Sequence, residues 1–423
     1  MLTWSDRWCR QPNLSSSQSF RIKARFGLWL PILAILGSTA RAEQAYPLGC
    51  STKDVKYYDF ESWVFPPDTI PIKSTKDYML VRRLGAGKFS DVFEAVDVQV
   101  EKRLRAGKNE PPLSVDQRTL VVLKCLKPVA ERKIKRELLV LQHASKLPNL
   151  ARLLAVVVPS DYNDPTKKYH LQNMPSLVLE HAGVDAQWLC HSTKDNQYMS
   201  DDEIRYFLYH LLVALDFLHS AGIMHRDVKP RNVLIDKTDM SLMLIDLGLA
   251  DFFLPNMQYN VRVASRHYKA PELLLGNENY DYAIDLWGVG CILAGLLFRR
   301  EPFFRGKDNL DQLGTIIAVL GTSDLYAYIA KMNMELEPAI RDVISKYTIL
   351  GSGKRKPWSQ IAHESTDKSY FPCADGLDLL SKLLVYDHTI RLTAKEAMAH
   401  NFFDKVRDRV DRQIREKLRK LNE

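Results

Sequence analysis

Residues 223–235 read Ile223-Met224-His225-Arg226-Asp227-Val228-Lys229-Pro230-Arg231-Asn232-Val233-Leu234-Ile235. Apolar residues flank a short polar centre, which is the pattern of a loop held between two buried short strands. The centre places a carboxylate, an ammonium group and a carboxamide on Asp227, Lys229 and Asn232. A loop can aim all three at one point, whereas a helix would direct them to different sides. A proton acceptor, a cation and a metal ligand together predict a phosphoryl-transfer site.

The composition is that of an ordinary soluble globular protein. Of the 423 residues, 46% are hydrophobic and 26% are charged, so the chain can bury one large core or two smaller ones. The six cysteines are scattered, with no C-x-x-C spacing. Neither a disulfide framework nor a zinc site is therefore indicated.

The net charge of +8 invites comparison with nucleic-acid-binding proteins. Its location argues against that class. Residues 1–42 carry a balance of +5 and residues 404–423 a balance of +3, so residues 43–403 sum to zero. We therefore expect no specific nucleic-acid partner.

Residues 1–42 predict a targeting leader. A basic, Ser-rich start precedes the apolar run 26–36 and the ending Ala40-Arg41-Ala42, which is typical of a secretory signal peptide. The apolar run is too short for a stable membrane span. Because the basic start is long for a signal peptide, an organelle transit peptide and an untargeted leader are the alternatives.

The rest of the chain predicts an α+β protein with two bodies. Residues 43–75 end in a Pro-rich stretch and predict an extended segment that packs onto a domain rather than forming one. Residues 76–181 predict a small antiparallel sheet with one main helix, and residues 182–404 predict a larger, mainly helical body. The predicted strands are 78–84, 91–96, 120–126, 150–158 and 176–179, and the predicted helices are 131–146, 201–221, 282–298, 309–320, 375–384 and 393–400.

Two charged segments interrupt or extend these bodies. Residues 99–117 contain a glycine and paired prolines, which predicts a flexible insertion. The tail 405–423 predicts a helix whose apolar face consists of Val406, Val410, Ile414, Leu418 and Leu421. That helix either docks on the body, docks on a partner or stays solvated and partly frayed.

A second acidic residue is expected beside the opening loop. Asp246 ends an apolar strand, is followed closely by Gly248 and comes fourteen residues after Asn232. This spacing accommodates a strand, a short turn and a return strand, so the hairpin would bring Asp246 back beside Asn232. Two oxygen ligands near a phosphate suit Mg²⁺.

Two further motifs precede the loop. Gly85 and Gly87 lie in a turn between two predicted strands, which argues against a dinucleotide fold or a P-loop and favours a lid over phosphates. Lys124 ends an apolar strand, where an unpaired ammonium group is costly to bury. Glu137, thirteen residues later, is its expected partner; an edge-strand lysine and a solvated glutamate are the plain alternatives.

In their order along the chain, these motifs resemble those of the eukaryotic protein kinases. The resemblance implies the two-lobed kinase fold, with ATP and Mg²⁺ in the cleft between the lobes. It implies that Asp227 accepts or orients the proton of the substrate hydroxyl and that Lys229 stabilises the transferring phosphoryl group. Asn232 and Asp246 would bind Mg²⁺, and Lys124, oriented by Glu137, would hold the α- and β-phosphates.

The same resemblance implies the remaining nucleotide contacts. Gly85 and Gly87 would cover the phosphates, and Glu180 to Ala182 would form the hinge between the lobes. The residues expected to sandwich the adenine are Leu84, Val92, Val122, Leu234 and Ile245. Glu272 belongs to the A-P-E element, and Arg391 is its expected ion-pair partner.

A narrower resemblance is to the catalytic subunits of the casein kinase 2 family. It covers about residues 55–403 and is carried by the segments YYDFE (57–61), KIKRE (133–137), VRVASRHYK (261–269), FRREPFF (298–304) and YDH (386–388). It implies a serine/threonine kinase for sites followed by acidic residues, with ATP and, as a second donor, GTP. It also implies a nuclear and cytoplasmic location, which conflicts with the leader.

Basic residues near the expected cleft agree with acidic substrates. Arg262, Arg266 and Lys269 precede the A-P-E element, where the peptide should dock. Four more, Arg132, Lys133, Lys135 and Arg136, lie on the predicted first-lobe helix. Acidic side chains after the target residue would pair with these groups. For the helix cluster, a solvated face is an equal alternative.

Regulation is expected to differ from that of many kinases. Between Asp246 and Glu272 the chain has one Ser, no Thr and two Tyr, so we predict activity without phosphorylation of this segment. The resemblance implies that residues 57–61 brace it. Residues 99–117 and 159–175 lie where the family's regulatory β-type subunit docks, which leaves that partner open. A pseudokinase scaffold is the competing class, and the intact motif residues argue against it.

Overall fold

The structure, a computed structural model, describes residues 70–105, 119–158, 175–183, 187–189, 198–238, 240–364 and 370–422. The predicted leader, the 57–61 cluster and most of the loop 159–175 lie outside these ranges. Within the described ranges no single helix is long and apolar enough to cross a membrane. One bent pair, Asn309–Leu320 with Ser323–Lys331, meets that test on length and composition when its two helices are taken together.

The first lobe is built on one six-stranded sheet. Its strands are β1 (Ile72–Ser74), β2 (Tyr78–Ala86), β3 (Ser90–Asp97), β4 (Leu120–Leu126), β5 (Leu153–Val158) and β6 (Ser176–Glu180). They lie in the order β1-β5-β6-β4-β3-β2, and all neighbours are antiparallel except β1 and β5. The predicted antiparallel sheet is thus corrected to a mixed one, because the Pro-rich segment runs parallel to β5 and Val156 N donates to Pro71 O at 2.9 Å.

Two helices accompany this sheet, α1 (Val98–Arg105) and α2 (Glu131–Ala144). The predicted main helix is α2, which buries Ile134, Leu138, Leu141 and Ala144. Helix α1 corrects the prediction of a flexible insertion from residue 99. Asp97 Oδ1 accepts from the backbone N–H of Gln99 and Val100, both at 3.0 Å, which starts a helix directly at the end of β3. Residues 106–118 lie outside the described ranges.

The second lobe is mainly helical. Its helices are α3 (Asp201–Ser220), α4 (Pro271–Leu274), α5 (Ala283–Leu297), α6 (Asn309–Leu320), α7 (Ser323–Lys331), α8 (Pro338–Ile349), α9 (Trp358–His363), α10 (Ala374–Leu383), α11 (Ala394–Met398) and α12 (Arg407–Asn422). Its strands are β7 (Gln187–Trp188), β8 (Ile223–Met224), β9 (Val233–Asp236), β10 (Ser241–Leu244) and β11 (Asp251–Phe252). The two lobes confirm the predicted α+β arrangement.

The long helix α3 forms the centre of the second lobe. Ser200 and Glu203 cap each other's backbone N–H groups at its start, as a Ser-x-x-Glu sequence favours. The predicted core helices match α3, α5, α6, α10 and α11 to within three residues at each end. Sequence reasoning missed α4, α7, α8 and α9. Helices α4 and α9 are too short to show a helical period, and α7 and α8 bury only two residues each, so their periodic signal is weak.

Short strands position the polar loops of the second lobe. The antiparallel hairpin β9–β10 pairs Val233 with Leu244, and Ile245 N donates to Asn232 O at 2.9 Å. The hairpin expected from the spacing therefore forms. It brings the backbone before Asp246 beside Asn232.

The C-terminal helix α12 docks on the body. Val410 and Ile414 are buried, and Tyr209 of α3 donates through Oη to Asp411 Oδ1 at 2.9 Å. Of the alternatives left open by the sequence, the structure therefore favours docking over a solvated, frayed helix.

Candidate active site

One buried carboxylate on α5 holds the start of the loop 225–232. Asp285, which is 1% exposed, accepts from the backbone N–H of His225 and Arg226, each at 2.8 Å, and lies 2.9 Å from His219 Nε2. Burial would raise the pKa of Asp285, but the neighbouring histidines and the His225 N–H outweigh it and lower the pKa. Sequence reasoning missed this residue; its signal was an acidic side chain inside an otherwise apolar helix.

Asp227 lies at the centre of a network of four groups. Its Oδ2 lies 2.5 Å from Lys229 Nζ and 3.2 Å from Asn232 Nδ2, and its Oδ1 accepts from Ser265 N at 2.8 Å. Lys229 Nζ also donates to Ser265 Oγ at 2.8 Å. The loop and the segment containing Ser265 therefore share one carboxylate, which fixes its orientation.

Asn232 and Asp246 offer a pair of hard oxygen ligands. Asn232 donates through Nδ2 to the Asp227 backbone carbonyl at 2.9 Å, so its Oδ1 is the atom available to a cation. Asp246 adopts a left-handed φ of 63°, and its side chain is 46% exposed. Among the described residues no group of three or more His, Cys, Asp or Glu side chains could hold a metal ion by itself. This donor set fits Mg²⁺, which shares its coordination with phosphate oxygens and water.

Lys124 joins the two lobes through two ion pairs. Its Nζ lies 2.7 Å from Glu137 Oε1 on α2 and 2.7 Å from Asp246 Oδ1. Burial would lower the pKa of Lys124, but the two carboxylates outweigh it and raise the pKa. The ammonium group of Lys124 in turn lowers the pKa of Asp246 to about 2. A Cβ on Gly248 would lie 3.2 Å from both Lys124 Nζ and Asp246 Oδ1, so glycine provides the room for this pair.

The turn that joins β2 and β3 is shorter than predicted: Gly85 lies within β2, opposite Val92, and Gly87 lies in the turn itself. Gly87 N donates to Ser90 O at 2.8 Å. Lys127, which follows β4, holds the turn with two hydrogen bonds. Its N donates to Phe89 O and its Nζ to Gly87 O, both at 2.8 Å.

The apolar residues expected around the adenine are all at least partly exposed. Leu84 is 41% exposed, and the other four, Val92, Val122, Leu234 and Ile245, are partly exposed. Their sequence neighbours Val121, Leu123, Val233 and Leu244 are buried. Because side chains alternate between the faces of a strand, the residues expected around the adenine lie on the strand faces opposite to the buried ones. At the expected hinge, Glu180 pairs with Arg152 at 2.9 Å.

Asp251 connects α2 to the opening loop. Its Oδ2 lies 3.0 Å from Arg136 Nη1 and 2.9 Å from Arg226 Nη2. Arg226 also donates to Leu249 O at 2.7 Å and to Tyr280 Oη at 3.1 Å. The guanidinium of Arg226 is thus held by groups of the protein itself.

The structure divides the six predicted substrate residues into two groups. Arg262, Arg266 and Lys133 are exposed, and of these the Arg266 guanidinium also donates to the Lys307 carbonyl through one nitrogen. Lys269 is 8% exposed and donates to the carbonyl oxygens of Val261 and Val263.

Two helix residues are also engaged internally. Arg136 pairs with Asp251, as described above, and Lys135 pairs with Glu131 at 3.1 Å on the helix surface. This corrects the prediction for Lys269 and Arg136, because their charged groups already have acceptors inside the fold. Lys135 is only partly available.

A buried ion pair anchors the segment after the site. Glu272 and Arg391 lie 2.7 Å apart with side chains fully buried, and two guanidinium–carboxylate contacts make the pair bidentate. Arg391 donates further to the carbonyl oxygens of Ala283 and Val385. This is the partner expected for Glu272.

Comparison with known protein families agrees with this geometry. A family model described as the protein kinase domain matches residues 78–403, which is most of the chain. The matched span contains every residue of the site described above.

Proposed function

The chain belongs to the protein kinase family, and from this premise we propose that it phosphorylates serine and threonine residues followed by acidic side chains. Kinases of this family transfer the γ-phosphoryl group of ATP with the help of Mg²⁺. Acceptance of GTP stays a prediction. The observation that carries the proposal is the Asp227–Lys229–Ser265 network beside the exposed Arg262 and Arg266.

The arrangement of charges supports an active enzyme over a scaffold. Lys124 is paired with Glu137, the arrangement in which a kinase lysine can hold the α- and β-phosphates. Asp227 would orient the attacking hydroxyl, and Lys229 would neutralise charge on the transferring group. Asn232 and Asp246 would hold Mg²⁺.

The exposed cations support a preference for acidic substrates. Arg262 and Arg266 precede the A-P-E element, where a substrate peptide passes, and no described carboxylate forms an ion pair with either of them. Lys133 lies on α2 with its Nζ 5.3 Å from the centre of the Phe89 ring. Charge-assisted contacts of arginine with carboxylates are strong and directional, so the arginine pair would select acidic residues after the target.

The Asp251 contacts support activity without phosphorylation of the segment between Asp246 and Glu272. In kinases that require such a phosphate, the added charge orders the segment by pairing with arginine. Here the Asp251 carboxylate already lies between Arg226 and Arg136. Treatment with a phosphatase should therefore leave the activity intact.

A regulatory partner on the first lobe stays a prediction. The edge strand β2 exposes three successive apolar residues, Met79, Leu80 and Val81, which is the kind of surface that a protein partner covers. Copurification with a β-type subunit would support this part of the proposal.

One assay tests the central claim. The purified protein is given Mg²⁺ and labelled ATP with a serine peptide followed by acidic residues, and with a matched peptide carrying basic residues. Asp227→Asn serves as the blank. Transfer to the acidic peptide is expected; no transfer by the wild type would favour the scaffold, and preference for the basic peptide would contradict the acidic selectivity.

A further inference from the structure

Helix α12 extends beyond residue 403, where the match to the family ends, and yet it is fixed to the second lobe. Val406, Val410, Ile414 and Leu418 are buried. Tyr206 of α3 donates through Oη to Gln413 Oε1 at 2.8 Å, in addition to the contact of Tyr209 with Asp411. Apolar packing and two hydrogen bonds therefore hold α12 in one register on α3.

Lys417 extends from this helix to the junction between the lobes. Its Nζ donates to Asn149 Oδ1 at 3.2 Å. Asn149 is 3% exposed and lies in the loop between α2 and β5, which belongs to the first lobe. A buried amide oxygen that loses its donor is costly, so this contact matters more than the exposed position of Lys417 suggests.

Asn149 contacts three elements: α12 through Lys417, α3 and β10. Its Nδ2 donates to His210 O at 3.1 Å and lies 3.0 Å from His210 Nδ1 on α3. Its backbone carbonyl accepts from Leu244 N of β10 at 2.7 Å. Its φ of 61° lies in the left-handed region, which asparagine tolerates better than most residues.

The charge state of His210 suits this arrangement. Burial, together with the positive charges of Lys417 and Arg409, lowers the pKa of His210 to about 3. The imidazole is therefore neutral, and a neutral ring can present Nδ1 as an acceptor to Asn149.

Asp246 of the candidate active site follows Leu244 by two residues in the chain. Ile245 N donates to Asn232 O at 2.9 Å, its carbonyl lies 3.1 Å from His225 Nε2, and Asp246 follows. At the other end of the loop, α2 carries Glu137, which shares Lys124 with Asp246. A displacement at Asn149 would therefore reach both partners of Lys124.

We propose that Lys417 is a positioning residue for the nucleotide site. Through Asn149 it fixes the α2–β5 loop on β10, and so sets Asp246 relative to the Lys124–Glu137 pair. The turnover test of this proposal rests on the proposed kinase function. The hydrogen-exchange test rests on the geometry alone.

The turnover test compares Lys417→Met with Lys420→Met. Lys420 lies on the same helix and pairs with Glu416 at 3.1 Å on its exposed surface. Lys417→Met should lower kcat/KM for Mg·ATP by about threefold to tenfold through a higher KM, with the peptide KM unchanged. Lys417→Arg should restore it, because arginine can also donate to Asn149. A loss of stability alone would lower kcat and leave the KM for Mg·ATP unchanged.

The second test needs no activity. Amide hydrogen exchange across residues 241–249 of the nucleotide-free protein should be faster in Lys417→Met than in Lys420→Met. In an Asn149→Gly background, where glycine accepts the left-handed backbone, Lys417→Met should add no further effect. A wild type that transfers no phosphate would refute the proposed function, whereas this comparison would still apply. Equal exchange in the two lysine variants, or additive effects of Lys417→Met and Asn149→Gly, would overturn the positioning role.

Discussion

Asp251 Oδ2 lies 2.9 Å from the Arg226 guanidinium, so the arginine that precedes Asp227 is charge-paired inside the protein. The same carboxylate oxygen pairs with Arg136 of α2. One acidic side chain thus connects the first-lobe helix, the opening loop and the segment that follows Asp246.

Asp251→Asn should therefore reduce both activity and stability. The amide cannot neutralise two largely buried guanidinium groups, and removing one member of such a pair is strongly destabilising. We expect kcat to fall about tenfold or more and the free energy of unfolding to fall by about 2–3 kcal/mol. Steady-state kinetics and urea unfolding measure the two effects. Asp378→Asn, which removes a 56% exposed carboxylate paired with Lys382 and His400, is the matched control, and equal behaviour of the two variants would contradict the role of Asp251.

Substitution of the exposed arginines should change substrate affinity more than turnover. Arg262→Gln and Arg266→Gln should each raise the KM for the acidic peptide about threefold to tenfold, since a charge-assisted contact is lost. The effect should shrink as salt rises, because exposed charges are screened. Lys135→Gln, at a position already paired with Glu131, should change the KM less. An equal rise with the basic-flanked peptide would argue against charge recognition.

Glu301 should make stability depend on pH. Burial raises the pKa of Glu301 to about 7 from its ordinary 4.5. Because the folded pKa is the higher one, its contribution is fully present at low pH and is lost as the pH rises through 7. Glu301→Gln removes this loss, so it should raise the free energy of unfolding by about 2–3 kcal/mol more at pH 8 than at pH 5.

Urea unfolding of Glu301→Gln at both pH values provides the measurement. Glu335→Gln, at an exposed position in the same lobe, is the control. A stabilisation that is the same at pH 5 and pH 8 would mean that the ionisation of Glu301 is not its cause.

The Glu272–Arg391 pair should be the most sensitive ion pair in the second lobe. Both side chains are fully buried, so Glu272→Gln leaves an uncompensated guanidinium that cannot reach water. We expect a loss of about 3–5 kcal/mol in the free energy of unfolding. Lys382→Met, which breaks an exposed pair, should cost less than about 1 kcal/mol. Chemical denaturation of the two variants under the same conditions compares them directly.

Local spacing explains why much of the site could be predicted from the sequence. The hairpin from Asn232 to Asp246 is short enough for its pairing to follow from strand and turn lengths. Lys124 and Glu137 lie thirteen residues apart, on a strand and on the next long helix. In both cases the chain between the partners leaves few alternative arrangements.

Two kinds of contact explain the errors: partners that are distant in sequence, and a side chain that turns inward within its own segment. Arg136 pairs with Asp251, 115 residues later, and basic residues on a predicted helix carry no sign of such a partner. Lys269 turns inward to backbone carbonyls of its own segment, a path that no residue pattern specifies. Asp285 acts on backbone N–H groups 59 and 60 residues earlier. Such contacts depend on tertiary packing, which local propensity does not encode.

The pairing of Lys124 with Asp246 has a thermodynamic consequence. The ammonium group, at 2.7 Å from Asp246 Oδ1, would compete with a cation for that carboxylate oxygen. Phosphate groups would draw Lys124 toward themselves and leave that oxygen to the metal ion. Nucleotide and Mg²⁺ should therefore bind with positive cooperativity, and linkage requires each to strengthen the other by the same factor.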